Sequence, residues 1–302
     1  MSADLIAVVG PTASGKSDLA IQIALELGNA EIVNADAMQL YKGMDIGTAK
    51  LATSDRQGIP HHLIDVAEID QEITAVQYQE MANAKITEIL QRNKTPLLVG
   101  GSMFYIASTI DVMDFAPTDD AIRERLETEA EKAGALELHS RLRALDPVSA
   151  ERIPAQNVRR VIRALEVIEI TGEPYPSALP EPSYQRPTLQ LGIMVDREVL
   201  KERIRIRVER MWQQGLIQEV ATLMESGKDF SRTARGAIGY DQAARQLRGE
   251  LSEQEAMEET ISLTNRYARR QMSWFRRDTR IQWLNSAGNL LEQALGRIRL
   301  ER

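Results

Sequence analysis

The chain has 302 residues, of which 43% are hydrophobic and 27% charged, and its formal net charge is −7. This composition is typical of a folded soluble protein with one large α/β domain that can carry a smaller insertion. No stretch approaches the roughly 18 uninterrupted apolar residues of a membrane span, and the N-terminus enters an apolar segment without a basic leader, so we expect a cytoplasmic protein.

The chain contains no cysteine and three histidines. Disulfides, zinc–cysteine modules and thiolate catalysis are therefore excluded, and a bound metal would be a hard cation held by oxygen or a histidine site. Mg²⁺ is the cofactor that this composition favours.

Arginine is concentrated in one stretch of this acidic chain. The segment 261–280, called the basic segment below, has one acidic residue, Asp278, and six arginines: Arg266, Arg269, Arg270, Arg276, Arg277 and Arg280. A local excess of arginine can neutralise phosphates, so the overall negative charge does not exclude a nucleic-acid partner.

The first hundred residues alternate between strand and helix patterns. Leu5–Val9 is short, apolar and β-branched and stops at Gly10, and an amphipathic helix is predicted from Gly15 to Leu27 with Gly28 as its C-terminal cap. Further elements of this kind are strands at Glu31–Val33 and Pro96–Val99 and a helix at Val76–Arg92. Such alternation predicts a parallel sheet flanked by helices.

The pattern changes near Ala116, where charged helical periodicity begins and no strand is evident up to about Pro182. Helices are predicted there at Asp119–Lys132, Ala135–Leu145 and Asn157–Ile170. The α/β pattern then resumes with a strand at Leu189–Val195, helices at Arg197–Ser226 and Ser252–Arg277, and a strand at Ile281–Leu284. We therefore predict an α/β core domain formed by residues 1–115 and 186–302 and a helical insertion domain formed by residues 116–185.

The turn after the first strand has the sequence of a phosphate-binding P-loop, G-x-x-x-x-G-K-[ST]. Its members are Gly10, Pro11, Thr12, Ala13, Ser14, Gly15, Lys16 and Ser17. The glycines allow a tight turn that points backbone N–H groups inward, Lys16 supplies an ammonium group, and Ser17 can ligate Mg²⁺. A chance glycine-rich turn is the alternative, but the flanking strand and helix favour a P-loop NTPase-like core.

A P-loop by itself leaves kinases, NTPases and transferases with a diphosphate leaving group open. An NTPase usually carries an aspartate at the end of an apolar strand, whereas here Leu97–Val99 runs into Gly100-Gly101-Ser102. The acid that does follow a strand is Asp36.

Several blocks of the sequence together resemble the tRNA dimethylallyltransferase family in its compact bacterial form. The most specific block is Asp36–Lys50, which follows the P-loop. Five more blocks have the order and approximate spacing of that family: Pro60–Asp65, Val99–Ser102, Arg159–Val167, Gly236–Tyr240 and Arg266–Gln271. The resemblance covers nearly the whole chain.

The resemblance implies transfer of a dimethylallyl group from dimethylallyl diphosphate to N6 of the adenosine 3′-adjacent to the anticodon of tRNA, with release of diphosphate. An adenine amine is a weak nucleophile, so a carboxylate that accepts its proton is useful, and Asp36 is the expected general base. The P-loop would hold the diphosphate with Mg²⁺. The family also places an arginine there from the helix after Asp196, and we favour Arg207 over Arg203. We expect a monomer.

The resemblance further implies contacts with tRNA from the segment after the catalytic acid, from the turn after the strand pattern Pro96–Val99 and from an arginine-rich helix. The expected residues are Asp36, Ala37, Met38, Gln39, Ser102, Arg159, Arg160, Val161, Ile162 and Arg163. Ala37 stands where Ser is common and Ser102 where many relatives carry Thr. The arginines can alternatively be ordinary surface charges of a helix.

Other functions remain open on the sequence. A P-loop kinase would use Asp36 to activate a hydroxyl, and a nucleotide-switched RNA-binding protein would need only the basic segment. Prenylation of free adenine nucleotides is the nearest competitor, although the helical insertion and the basic segment favour a macromolecular acceptor. The adjacent His61 and His62 are expected to form structural hydrogen bonds rather than a metal site.

Overall fold

The computed structural model describes residues 3–176 and 181–301. The chain divides into two compact units, one formed by Met1–Val112 with Ser183–Arg302 and the other by Met113–Pro182. Within the described ranges, none of the helices combines the length and hydrophobicity that a bilayer crossing requires.

The first unit is built on a six-stranded sheet in which every neighbouring pair is parallel. The strands are β1 (Leu5–Val9), β2 (Ala30–Asn34), β3 (His61–His62), β4 (Thr95–Gly100), β5 (Thr188–Met194) and β6 (Gln282–Asn285). Their order across the sheet is β3-β2-β4-β1-β5-β6. The predicted α/β fold with a central parallel sheet is confirmed. Strand β3 was not predicted, because two residues are too few to give a strand pattern in the sequence.

Helices cover both faces of this sheet, and further helices form the second unit. In chain order they are α1 (Lys16–Leu27), α2 (Ala75–Gln91), α3 (Met103–Ile110), α4 (Asp120–Ala133), α5 (Ala135–Leu145), α6 (Pro147–Arg152), α7 (Val158–Thr171), α8 (Arg197–Gln213), α9 (Leu216–Glu225), α10 (Arg232–Arg235), α11 (Tyr240–Leu247), α12 (Glu253–Phe275) and α13 (Leu290–Leu300).

The central strand β1 shows why helices cover both faces of the sheet. All five of its residues are buried, with Leu5, Ala7 and Val9 in one apolar cluster and Ile6 and Val8 in another. Because side chains alternate across a strand, the two clusters lie on opposite faces of the sheet. Helices α2 and α3 contribute to the first cluster, and α1 and α13 contribute to the second.

The predicted single helix at Arg197–Ser226 is wrong, because the structure has two helices, α8 and α9, separated at Gln214 and Gly215. Gly215 has a φ of 97°, a left-handed conformation that interrupts the helix. The break lets Met211 and Val220 join a third apolar cluster, which also contains Tyr240 of α11.

The second unit consists of α4–α7 around its own apolar cluster, which includes Leu126, Leu142 and Leu165. Glu166 lies inside this unit with no exposed surface. Burial raises its pKa, but the amide of Asp119 at 2.9 Å and guanidinium groups of Arg123 and Arg163 at 2.8 and 2.9 Å bring the net pKa below the usual value.

Candidate active site at the carboxyl ends of the central strands

The P-loop (Gly10–Ser17) leaves β1 at the carboxyl edge of the sheet and enters α1. Ala13 and Gly15 have φ values of 61° and 90°, so the turn uses left-handed backbone twice within three residues. Such turns direct consecutive N–H groups toward a common point, and the helix N-terminus adds a favourable dipole for an anion. Ser14 Oγ is buried and has no hydrogen-bond partner in the described part of the chain. A bound phosphate oxygen can satisfy it.

Gln271 of α12 braces the P-loop against the end of β4. The Thr12 N–H donates to Gln271 Oε1 at 2.9 Å, and Gln271 Nε2 donates to the Gly101 carbonyl at 2.8 Å. A Cβ added to Gly101 would lie 2.4 Å from that nitrogen, so a larger residue would displace the Gln271 amide from this position. Gln271 ends the family block Arg266–Gln271, but the sequence alone assigned it no role.

Asp36 follows β2 in a segment held by hydrogen bonds between side chains and backbone groups. The side chain of Asn34 donates to the carbonyls of Asp36 at 3.1 Å and Leu63 at 2.9 Å, and it accepts from the Asp36 N–H at 3.1 Å. Asp36 Oδ1 accepts from the Met38 N–H at 3.0 Å. The orientation of the carboxylate is therefore fixed by the local turn.

Ser102 fixes the same segment from the other side. Its Oγ accepts from the Ala37 N–H at 2.9 Å, and its own N–H donates to the Ala35 carbonyl at 3.2 Å. A Cβ on Gly100 would lie 2.1 Å from that carbonyl oxygen, so β4 and the segment after β2 cross with no space for a side chain. Ser102 thus supports the backbone beside Asp36.

A cavity of about 390 Å³ lies between these elements and contains the predicted base. Thr12, Asp36, Ser102 and Arg207 form polar parts of its wall. Apolar parts are contributed by Val208, Met211, Ala237 and Tyr240. The cavity therefore combines a phosphate-binding turn, a carboxylate and an apolar surface, which suits a ligand with a charged end and a hydrocarbon end.

Three charged groups determine the electrostatics of this site. Burial lowers the pKa of Lys16 from 10.5 to about 8, an effect opposed by the charge of Asp36 and reinforced by Arg207. Burial also lowers the pKa of Arg207, again opposed by Asp36. Lys16 Nζ donates to the Pro11 carbonyl at 3.2 Å, and Arg207 Nη2 donates to the Thr48 carbonyl at 3.2 Å. Two cations near one carboxylate leave an excess of positive charge for an anionic ligand.

The structure places Arg207 rather than Arg203 in the cavity wall. Arg203 is exposed, and its Nη1 lies 3.5 Å from the Ser14 carbonyl oxygen. Arg205 lies between them in the sequence but pairs with Glu202 and Glu209 at the surface.

Four residues of α12, Thr260, Thr264, Tyr267 and Arg270, line the cavity and were not among the predicted site residues. Tyr267 lines the cavity, and burial together with the charge of Asp36 raises its pKa to about 12, so its hydroxyl stays protonated. The Arg270 guanidinium lies 5.1 Å from the centroid of the Tyr267 ring, a cation–π distance. Both belong to the family block Arg266–Gln271, which was the available signal.

The other predicted residues of the first unit lie near this cavity or outside it. Ala37 and Met38 line the cavity. Gln39 instead donates to the carbonyls of Thr48 at 3.2 Å and Ala49 at 3.5 Å, and it shares a small crevice with Ser17.

In the second unit, Arg159 and Arg160 are exposed on α7. Val161 and Ile162, which were predicted to contact tRNA, are buried in the apolar core of that unit because the helical period turns their side chains inward. Their contact with tRNA stays a prediction. Arg163 is half-buried and donates to the Ala116 and Pro117 carbonyls as well as to Glu166.

No group of three or more histidine or acidic side chains in the described ranges is arranged to hold a metal ion. His62 Nε2 lies 2.7 Å from Glu31 Oε2, and His61 Nδ1 lies 2.8 Å from the Ile59 carbonyl oxygen. Both histidines therefore make the structural hydrogen bonds that the sequence predicted.

The other arginines of the basic segment lie outside the catalytic cavity. Arg269, Arg276 and Arg277 line a groove of about 680 Å³ together with Arg197 and Lys201 of α8, and none of the described residues in its wall is acidic. Arg280 instead pairs with Asp111 at 2.6 Å and with Asp278 at 2.7 Å. The groove, called the basic groove below, is a positively charged surface.

Comparison with known proteins identifies the family. The profile of the IPP transferase family matches residues 39–278. The tRNA dimethylallyltransferase of Salinispora arenicola is 51% identical over 296 residues, which cover 98% of this chain and 86% of that protein. The enzyme of that name from Clavibacter sepedonicus is 52% identical and is covered to 96%, as is this chain.

Solved structures with similar folds cover nearly the whole chain. The crystal structure of the full-length tRNA isopentenylpyrophosphate transferase from Bacillus halodurans is 34% identical, with a TM-score of 0.71 and coverage of 99% of this chain and 97% of that one. A eukaryotic dimethylallyltransferase acting on tRNA has the same fold, with a TM-score of 0.79, 24% identity and coverage of 97% and 78%. The chain is an enzyme of the IPP transferase family.

Proposed function

We propose that the protein transfers the dimethylallyl group of dimethylallyl diphosphate to N6 of the adenosine 3′-adjacent to the anticodon in tRNA. The observation that carries the proposal is the cavity shared by Thr12 of the P-loop, Asp36 and the apolar residues around Met211. A hydrolytic NTPase would need water-organising acids here, whereas an apolar wall beside a phosphate site suits a prenyl diphosphate.

The diphosphate occupies the P-loop, where backbone N–H groups, the Ser14 hydroxyl, Lys16 and Arg207 face the negative charge. During transfer the bond between C1 of the prenyl group and the diphosphate oxygen breaks, and a bond between C1 and adenine N6 forms. The charge that develops on the leaving diphosphate is stabilised by these groups, whose orientation is already set. Asp36 accepts the proton that N6 loses, which typically contributes about 10² to 10⁴ in rate.

A divalent cation, which we take to be Mg²⁺, fits the Ser17 hydroxyl and the diphosphate oxygens. Ser17 is exposed at the first turn of α1, and the crevice beside it also contains the amides of Asn34 and Gln39. Mg²⁺ commonly binds few protein ligands and completes its shell with phosphate oxygens and water, so the donors present suffice. When bound, it would neutralise charge on the leaving diphosphate.

The acceptor adenosine must leave its stack to reach Asp36. The segment Asp36–Met38 and Ser102 line the cavity, and the Tyr267 ring offers a stacking surface in its wall. We assign the nucleoside to this place. Phosphates of the anticodon stem-loop would meet exposed arginines, among them Arg159 and Arg160 in the helical insertion domain (residues 116–185). The protein acts as a monomer in this proposal.

Mass analysis of tRNA nucleosides after incubation with dimethylallyl diphosphate and Mg²⁺ tests the reaction. The expected product is adenosine with one added five-carbon group, made by the wild type and by Asp55→Asn, which changes an exposed carboxylate, but not by Asp36→Asn. Parallel reactions contain adenosine monophosphate in place of tRNA, or ATP with small acceptors. Prenylation of the mononucleotide alone, or phosphoryl transfer without tRNA, would contradict the proposal.

Salt dependence tests the macromolecular acceptor. Because phosphate neutralisation releases counterions, tRNA affinity should fall steeply between low and physiological salt. Replacing Arg269 and Arg276 of the basic groove with Gln should lower the slope of log K against log salt by about one for each phosphate interaction that is removed. A flat response would show that phosphates contribute little to binding.

A further inference from the structure

The Tyr240 side chain lies between two cavities. It lines the catalytic cavity of about 390 Å³ and also a second cavity of about 420 Å³. The second cavity is lined by the apolar side chains of Val220, Met224, Phe230 and Ala244 and, toward its rim, by charged side chains such as Lys228 and Asp241. Since only 2% of Tyr240 is exposed, its side chain fills the space where the two cavities approach each other.

Neighbouring groups hold this side chain in place. A Cβ added to Gly47 would lie 2.3 Å from a carbon of the Tyr240 ring, so the ring packs directly on that backbone. The Tyr240 hydroxyl donates to Glu219 Oε1 at 2.5 Å, and Glu219 Oε2 accepts from the N–H groups of Asp45 at 3.1 Å and Ile46 at 2.8 Å. The Tyr240 side chain is therefore held in place both at its ring and at its hydroxyl group.

The orientation of a prenyl diphosphate in the catalytic cavity follows from its two ends. The diphosphate is held at Thr12 and Lys16, so the hydrocarbon lies toward the apolar wall formed by Val208, Met211, Ala237 and Tyr240. A five-carbon chain ends within this cavity, whereas each further isoprene unit extends the chain toward the Tyr240 ring.

We propose that Tyr240 determines the length of the prenyl donor by closing the catalytic cavity against the second cavity. The inference rests on the proposed prenyl transfer and adds to it the residue that restricts the donor to five carbons. Removing the ring would join two cavities of similar volume, and the apolar side chains of the second, Val220, Met224, Phe230 and Ala244, would then contact the end of a ten-carbon chain.

The test is a competition between equal concentrations of dimethylallyl diphosphate and geranyl diphosphate, with tRNA as acceptor and both products measured by mass in one reaction. The product ratio reports the ratio of kcat/KM values and does not depend on the fraction of folded enzyme. Tyr240→Ala and Tyr240→Leu should raise the ten-carbon to five-carbon ratio at least about tenfold. Tyr240→Phe keeps the ring and should leave the ratio unchanged.

Filling the second cavity provides the matched control. Ala244→Phe alone should leave the wild-type ratio unchanged, and adding it to Tyr240→Ala should remove the gain in ten-carbon product. The proposal is overturned if both shortened variants keep the wild-type ratio, if both lose the two products alike, or if the gain survives in the double variant. A wild type inactive with the five-carbon donor would instead refute the proposed transfer itself.

Discussion

Replacing Lys16 with Met should stabilise the ligand-free protein while it abolishes diphosphate binding. Burial lowers the pKa of Lys16 from 10.5 to about 8, so the folded state at pH 7 keeps a partly desolvated ammonium group. At about 1.4 kcal/mol per pKa unit, this shift costs at most about 3.5 kcal/mol, and less because the ammonium group is only partly removed from solvent. Met also loses the hydrogen bond to the Pro11 carbonyl, worth about 1 kcal/mol, so a net gain of about 1 to 2 kcal/mol is expected.

Urea unfolding of ligand-free protein at pH 7 and pH 10 measures this effect. Because the pKa of Lys16 is lower in the folded state, the unfolded state binds more protons between about pH 8 and 10.5. The wild type therefore gains stability relative to Lys16→Met as the pH rises through this window, and the difference closes. Lys201→Met, which removes an exposed ammonium group, is the matched control.

Inorganic diphosphate should reverse the order of stabilities. A ligand that binds only the folded state stabilises it by mass action, so saturating diphosphate with Mg²⁺ should raise the unfolding free energy of the wild type and leave Lys16→Met unchanged. The reasoning would be refuted if Lys16→Met were less stable than the wild type at pH 7 without ligand, or if their difference were constant from pH 7 to 10.

Three further predictions concern other groups of the first unit. Asp36→Asn should lower kcat by about 10² to 10⁴ with tRNA affinity kept within about twofold, measured by single-turnover kinetics and filter binding; an equal loss of affinity would exclude a role as base. Gln271→Leu leaves two backbone groups unpaired and should cost about 1 to 3 kcal/mol in urea unfolding and raise KM for the donor, whereas an unchanged KM would show that the P-loop needs no brace. Asp111→Asn weakens the pair with Arg280 and should cost about 2 kcal/mol; full stability in urea would mean that Asp278 suffices.

Local sequence patterns were sufficient for the elements whose neighbours along the chain decide their structure. The apolar run Leu5–Val9 specified a strand buried on both faces, and Gly28 ended the first helix because it adopts left-handed backbone without a side-chain clash. The same local reasoning failed at Gly215, because a single glycine is also tolerated within helices and only the packing of α8 and α9 required a break there.

Which residues form the site depends on contacts between segments that are far apart in the chain. Arg203 and Arg207 lie one turn apart on α8, and periodicity alone does not say which of them faces the P-loop some 190 residues earlier in the chain. Val161 and Ile162 carried the same family signal as Arg159 and Arg160, yet the core of the second unit buries them.

The sequence by itself determined the parallel α/β fold, the phosphate-binding turn, the acid after the second strand and the family, because each depends on contiguous residues. Only the tertiary structure decided that Gln271, Tyr267 and Tyr240 belong to the site. These residues come from α11 and α12, more than 200 residues after Asp36, and helix packing against the carboxyl edge of the sheet brings them to it. The family blocks include these residues, but contacts that form through packing between distant segments cannot be derived from a local sequence pattern.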